Sequence, residues 1–256
     1  MHMNQLVETR RDIPENPEAV KPIGLVFALG IEAGALFDRM KNTRTTVGNG
    51  LTYREGILGS RTIVSVESGI GLDNAQKAAD SLIDVFRPCR IISAGFAGAL
   101  DPEIRRNSIH FPGKVFCRDY SLEIPGGTDA ISLLTLDHIV YSIEDKRSLW
   151  ESTGIQLVDM ESFAVAQTAN RLHVPFTSVR VVFDTADEEL PNEIRKITAQ
   201  NQSTARMIGT VFGVIFKRPS SVLDMYKLKE KSLVSADALA LELEKYVNSL
   251  EPKSTL

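Results

Sequence analysis

Cysteine is almost missing from this sequence. Cys89 and Cys117 are the only two in 256 residues, which excludes a disulfide-stapled fold and fits a reducing compartment. No apolar run approaches the roughly 20 residues that cross a bilayer as a helix. The opening Met1-His-Met-Asn-Gln-Leu-Val-Glu-Thr-Arg-Arg11 has no apolar stretch of signal-peptide length. A cytoplasmic protein with no integral membrane segment is therefore expected. Neither sign of charge dominates: 29 basic and 33 acidic side chains leave a formal −4, so the electrostatic footprint of a nucleic-acid binder is missing at chain level. The four histidines (His2, His110, His138 and His173) lack metal-ligand spacing with one another or with the cysteines, and no metal is expected.

Several cofactor and nucleophile motifs are missing too. There is no Gly-x-x-x-x-Gly-Lys-Ser/Thr phosphate loop and no Gly-x-Ser-x-Gly elbow. Gly69-Ile-Gly71 begins like a dinucleotide fingerprint, but Asn74 takes the third glycine position. A lone Gly-x-Gly before a helix is mostly a tight turn. No cofactor is expected.

What is present is an ordinary globular composition, 43% apolar and 24% charged, in a chain long enough for one large domain. Residues 1–22 are polar, carry Pro14, Pro17 and Pro22, and read as a mobile arm. Ile23 to Leu29 is a continuous apolar run ended by Gly30, the pattern of a strand buried on both faces. Shorter strands are expected at 51–58, 62–66, 90–94, 108–116, 132–141 and 175–184. Helical spacing marks 73–86, stopped by Pro88, and 162–172. Beyond Pro191 the chain reads as helices at 192–216, 219–231 and 236–249, the last with Ser235 as N-cap. Apolar strands alternating with helices give the α/β class, with a largely parallel sheet covered on both faces. The organisation expected is a domain over 23–217 and a helical tail over 218–256 packed on it.

In such sheets ligands sit beyond the carboxyl ends of the strands. The polar residues there are Glu32, Ser68, the 96–98 segment, Asp137, Glu161 and Asp184. Three stretches containing them are Ile23-Gly-Leu-Val-Phe-Ala-Leu-Gly-Ile-Glu32; Ser68-Gly-Ile-Gly71 followed by Ile91-Ile-Ser-Ala-Gly-Phe-Ala-Gly-Ala-Leu100; and Val158-Asp-Met-Glu161 with Val174-Pro-Phe-Thr-Ser-Val-Arg-Val-Val-Phe-Asp184. In this order they resemble the nucleoside phosphorylase and nucleosidase superfamily, over residues 23 to 190 with gaps. Asp-Met-Glu-Ser, Ala186-Asp-Glu-Glu-Leu-Pro191 and Arg218-Pro219 are similar to its hopanoid-associated phosphorylase branch, whose members are thought to release adenine from a lipid-linked nucleoside.

The resemblance implies a three-layer α/β/α phosphorylase/hydrolase-like fold with a central mixed, largely parallel sheet, a small-molecule nucleoside as partner, and a homo-oligomer. It also implies roles. Breaking an N-ribosidic bond leaves positive charge on the sugar and negative charge on the departing base. Asp184, kept protonated by burial beside Phe183 and near Glu161 or Glu32, would protonate the purine. Glu161 beside Met160 would hold the ribose hydroxyls and favour the cationic sugar. Glu32 would take the proton of the attacking water, with Arg180 holding that water and the carboxylate. Phe96, Ala97 and Gly98 of the glycine turn after the middle strand, and Ile139 and Val140, would contact substrate. Each residue also has a plain structural reading: a turn cap for Asp184, a first-turn acid for Glu161, a solvated loop acid for Glu32, an ion-pair partner for Arg180, packing for Met160, Phe96 and Ile139.

The chain departs from the family pattern at several places. Phosphate users carry an arginine and a serine near positions held here by Ser93 and Phe96, and an apolar ring cannot neutralise phosphate. Phe96 also replaces a serine of the nucleosidases, and Ile139 stands where an aromatic ring stacks on the base. About 35 residues separate Leu100 from Thr135, a short connection that implies an open cavity. The expected activity is hydrolysis of a purine nucleoside with a modified 5′ group, either 5′-methylthioadenosine/S-adenosylhomocysteine or an adenosylhopane-like lipid nucleoside. A phosphate-dependent phosphorylase and a non-catalytic nucleoside-binding protein are the alternatives.

Overall fold

The most apolar segments of the chain form the innermost strands. In the computed structural model, which describes residues 21–190 and 222–250 and the side chains of the latter stretch from 228, β1 (Ile23–Phe27) and β11 (Phe176–Asp184) are buried along their whole length. Strands covered on both faces need apolar residues at every position, which explains why neither alternates. The expected arm over 1–22, the helix over 192–216 and the boundary at 217 fall wholly or mainly outside the described residues.

Among the described residues eleven strands make one mixed sheet. Its centre is parallel, with β4 (Arg61–Glu67) and β5 (Arg90–Ala99) flanking β1, and β11 on the far edge of β5. Antiparallel β3 (Leu51–Leu58) and β2 (Lys41–Gly48) extend it beyond β4. On the other side come β10 (Leu157–Asp159), β9 (Asp129–Thr135), β7 (Pro112–Cys117) and β8 (Tyr120–Glu123), while β6 (Ile109–His110) pairs with β11.

Helices cover both faces. Ala75, Ala78, Ala79, Leu82 and Ile83 of α2 (Leu72–Phe86) and the buried face of α4 (Ser162–Arg171) close one core with Val26, Val64, Val66 and Ile91. On the opposite face, Ala33 and Leu36 of α1 (Gly30–Arg39) meet Leu239, Ala240, Leu243 and Val247 of α5 (Val222–Ser249) over Ile23, Leu25, Phe27 and Val181. The i, i+4, i+8 spacing of Leu239, Leu243 and Val247 puts them on one stripe of α5. Full burial of each is worth about 1.5–3 kcal/mol. The result is the α/β/α sandwich.

The structure corrects the sequence reading in several places. Among the described residues the tail is one helix from Val222 where two were expected: Ser235 lies inside it, buried, and its Oγ donates to Asn107 Oδ1 at 2.7 Å instead of capping. The 90–94 strand runs on to Ala99, because β11 pairs with it in register as far as Ala97 and, after a bulge at Phe183, again at Gly98, so the 95–98 segment is strand and not a turn. The 132–141 strand ends at Thr135. Helix α1 and the later helix α3 (Ile143–Thr153), capped by Ser142, were not expected, nor was polar, exposed β2.

One irregularity of the sheet makes the site. β1 and β10 take the same edge of β5, but β1 pairs with it only up to Ser93 and β10 only at Gly98 and Ala99. Between them the sheet forks.

Candidate active site

A backbone N–H left without a strand partner in that fork must find another acceptor. Phe96 N donates to Glu32 Oε1 at 2.8 Å, and Leu29 N, at the start of α1, donates to Glu32 Oε2 at 2.9 Å. Glu32 is the third residue of α1, so the carboxylate reaches back to the helix start as in one half of a capping box. It is not a solvated loop acid: it is 4% exposed. Burial raises its pKa, and those N–H groups and the Arg180 charge pull it back. Gly95 is what permits the approach, since a Cβ there would lie 2.7 Å from Glu32 Oε1.

The fork opens into a cleft with an enclosed volume of about 130 Å³. Glu32, Glu161 and Asp184 all line it, as do Met160, Phe96, Ala97, Gly98, Ile139, Val140 and Phe183. The three acids come from α1, from the β10–α4 junction and from the end of β11. The lining also includes Leu29, Ile70, His138, Asp159 and Leu190, which sequence reasoning did not select. No lysine or arginine lies among the described lining residues.

Glu161 precedes α4 but makes no cap bond to it. Its Oε1 instead accepts from Gly71 N at 2.8 Å, across the molecule. Gly71 sits at φ +96°, a conformation that suits glycine and turns this N–H toward the cleft. The Glu161 carboxyl is pushed up to about 8, first by burial and then by the negative charge of Asp159, against the pull of the Gly71 N–H and Arg180.

Arg180 is arranged differently from the expectation. It does not line the cleft. Its Nε and Nη2 both donate to Asp159 Oδ2, at 2.9 and 2.7 Å, and Nη2 also donates to Ser93 Oγ and Ser162 Oγ. In this buried two-bond pair Asp159 reaches the cleft and Arg180 does not, and the Arg180 charge acts on Glu32 and Glu161 only through its field. Asp159 is the acid the sequence reading passed over, although it stands in the quoted Val-Asp-Met-Glu run. Thr135 Oγ1 donates to its Oδ1 at 2.7 Å, so both oxygens are engaged.

Asp184 also differs from the expectation. Burial does raise its pKa, and the charges that act on it most are Lys146, Arg106 and Lys231, all lowering. Lys146 of α3 is fully buried and donates to Asp184 Oδ2 at 2.5 Å. Nothing in the sequence marked it, because a lysine in a helix of low apolar content reads as solvated. Asp184 does not cap the turn after it; Thr185 N donates to Glu188 Oε2.

Phe96 and Phe183 stack, 5.0 Å between centroids and 12° between planes, and with Ile139, Tyr141, Leu190 and Leu228 make an apolar wall. The described residues contain no group of three His, Cys, Asp or Glu side chains able to hold a metal. No helix among them is long and apolar enough to cross a membrane.

The model of the phosphorylase superfamily matches residues 22–126 and 132–212. The chain belongs to that superfamily. Among curated superfamily relatives, the 5′-methylthioadenosine/S-adenosylhomocysteine nucleosidase of Pseudoalteromonas translucida is 26% identical over 208 residues, 68% of this chain and 88% of the relative. That of Tolumonas auensis is 26% identical over 220 residues, 71% and 95% of the two chains. Solved structures of superfamily fold include the Helicobacter pylori 5′-methylthioadenosine/S-adenosylhomocysteine nucleosidase with butyl-thio-DADMe-Immucillin-A, at TM-score 0.66 and 19% identity over 91% of this chain and 100% of the other. The futalosine hydrolase of Helicobacter pylori aligns at TM-score 0.65 and 20% identity over 90% and 99%. These structural likenesses concern the fold.

Proposed function

We propose that this protein hydrolyses the N-ribosidic bond of an adenine nucleoside carrying a modified 5′ group, such as 5′-methylthioadenosine/S-adenosylhomocysteine or an adenosylhopane-like lipid nucleoside. The observation that carries this reading is that three buried carboxyl groups, Glu32, Glu161 and Asp184, line one cleft.

In this mechanism protonated Asp184 gives its proton to N7 of the base as the C1′–N9 bond breaks and its electron pair stays with the purine. A water oxygen bonds to C1′, and its proton passes to Glu32, whose ionised form is favoured by two N–H bonds and the Arg180 field against the effect of burial. Glu161 accepts from the ribose hydroxyls, and the cationic sugar forming beside it favours its ionised state. Free adenine and free sugar leave, and solvent returns the proton from Glu32 to Asp184. This is the paired-carboxylate logic of glycoside hydrolysis with a nitrogen leaving group. Hydrolysis is favoured over phosphorolysis by a described lining without lysine or arginine and by the Phe96 ring on its wall. Within the proposed substrate set, the apolar surfaces of Leu29, Ile70, Ile139 and Leu190 favour an apolar 5′ group, methylthio or lipid-like, over the zwitterionic homocysteine of S-adenosylhomocysteine.

The test is product analysis after incubation with a panel of purine nucleosides differing at 5′, with and without phosphate. Adenine and free sugar at equal rates in both buffers are expected. Sugar 1-phosphate formed only with phosphate would replace hydrolysis by phosphorolysis, and binding with no turnover would leave a nucleoside-binding protein. Asp184→Ala is expected to lower kcat about 10²–10⁴-fold, the usual scale of general-acid catalysis.

A further inference from the structure

Lysine is almost never fully buried unless it is paired. Lys146 has no exposed surface, and each of its three N–H donors has one oxygen: Asp184 Oδ2 at 2.5 Å, Thr185 O at 2.7 Å and Glu188 O at 2.8 Å. An ammonium group has three donors and no acceptor, so this one is saturated. All three acceptors lie on the stretch leaving β11, whereas Lys146 belongs to the first turn of α3, directly after the Ile139–Tyr141 segment of the wall. Leu190 N donates to Tyr141 O at 3.1 Å and closes the same seam from its other end. The Glu188 carboxylate is served separately, by Arg106 and by Lys231 at 3.4 Å. Lys146 is therefore directed at the Asp184 carboxyl and the carbonyls around it.

We propose that Lys146 is the positioning residue for the leaving-group acid: by holding Oδ2 of Asp184 it directs the transferable proton to Oδ1. The chemistry is one of exclusion. An oxygen that accepts from an ammonium group at 2.5 Å has no room for a proton on that side. Oδ1 accepts no hydrogen bond from any described residue and is left to carry the proton and face the base. A Cβ at Gly98 would lie 3.2 Å from Oδ2 and 3.5 Å from Oδ1, so the glycine leaves the carboxyl its room. This inference rests on the hydrolase reading of the cleft.

The charged groups around the pair are Arg106 from the β5–β6 connection, Lys231 from α5 and Asp187 in the turn after β11. Glu161, Glu32 and His138 lie elsewhere in the cleft lining. The Lys146 charge favours the ionised carboxyl, so its removal raises the Asp184 pKa further.

The experiment is a double-mutant cycle of Lys146→Met and Asp184→Asn, with kcat, KM and their pH profiles measured on a nucleoside that the wild type hydrolyses. Lys146→Met is expected to lower kcat about 10–100-fold, the scale of a misplaced catalytic group. KM is expected to stay within about threefold, the split of an interaction used mainly in the transition state. The alkaline limb of kcat is expected to move up by about one pH unit or more. In the Asp184→Asn background the same change is expected to cost nothing further. Multiplying losses, or an unmoved alkaline limb, would make Lys146 a structural lysine only. If Lys146→Met melts out before assay, Lys146→Gln, which keeps a donor and drops the charge, runs the same cycle and is read in the same way. A wild type without turnover overturns the hydrolase reading and this inference together, whereas an active wild type with an equally active Lys146→Met overturns this inference alone.

Discussion

Replacing Glu161 by glutamine exchanges a buried acid for a neutral group of the same shape, able to keep the bond from Gly71 N. The folded carboxyl titrates at about 8 against an ordinary 4.5, and the side chain is 8% exposed. The native state therefore holds more protons than the unfolded chain between pH 4.5 and about 8. Stability must fall as pH rises through that window and level off above it. At about 1.4 kcal/mol per pKa unit the full penalty is roughly 3–5 kcal/mol, part of it shared with Asp159. For a chain of this size that is on the order of 10 °C in Tm. Thermal melts of wild type and Glu161→Gln from pH 4 to 9 read this directly. The two should melt together near pH 4 and separate as pH rises, the variant being the more stable by about 10 °C at pH 8.5. Some slope should persist in the variant, because burial also raises Glu32 and Asp184. Activity should move the other way, since an amide cannot oppose a cationic sugar. Parallel melting curves across the pH range would refute the claim that Glu161 is held protonated by its surroundings.

Two further outcomes are expected. Gly95→Ala puts a methyl group 2.7 Å from Glu32 Oε1, so it should displace the carboxylate and lower kcat at least about tenfold; full activity would show that Glu32 need not stand there. Asp159→Asn leaves the Arg180 guanidinium buried without its counter-charge, a loss of about 3–5 kcal/mol that a denaturant titration would register, and a change under about 1 kcal/mol would show that Ser93 and Ser162 suffice.

The strands of the centre were legible because burial on both faces leaves an unbroken apolar run, as in β1 and β11. Helix α2 was legible because only one of its faces is buried. β2 was not, since an exposed edge strand written Lys-Asn-Thr-Arg-Thr-Thr has no apolar alternation to betray it. The continuation of β5 through two glycines was hidden for a different reason: glycine in sequence signals a turn, and only the partner strand β11 shows that these glycines make room for Glu32 and Asp184.

The residue types and their order along the chain determined the α/β layers and the short list of acids at the strand ends, because hydrophobic period and local chemistry are written in neighbouring residues. The assignment of partners was decided by tertiary structure alone. Arg180 pairs with Asp159, Glu161 takes an N–H from Gly71 90 positions away, and Asp184 rests on a lysine from α3. Which charge lies beside which carboxyl depends on where the sheet forks and which helix closes over it. That relation between distant segments sets each proton affinity, and no local pattern carries it.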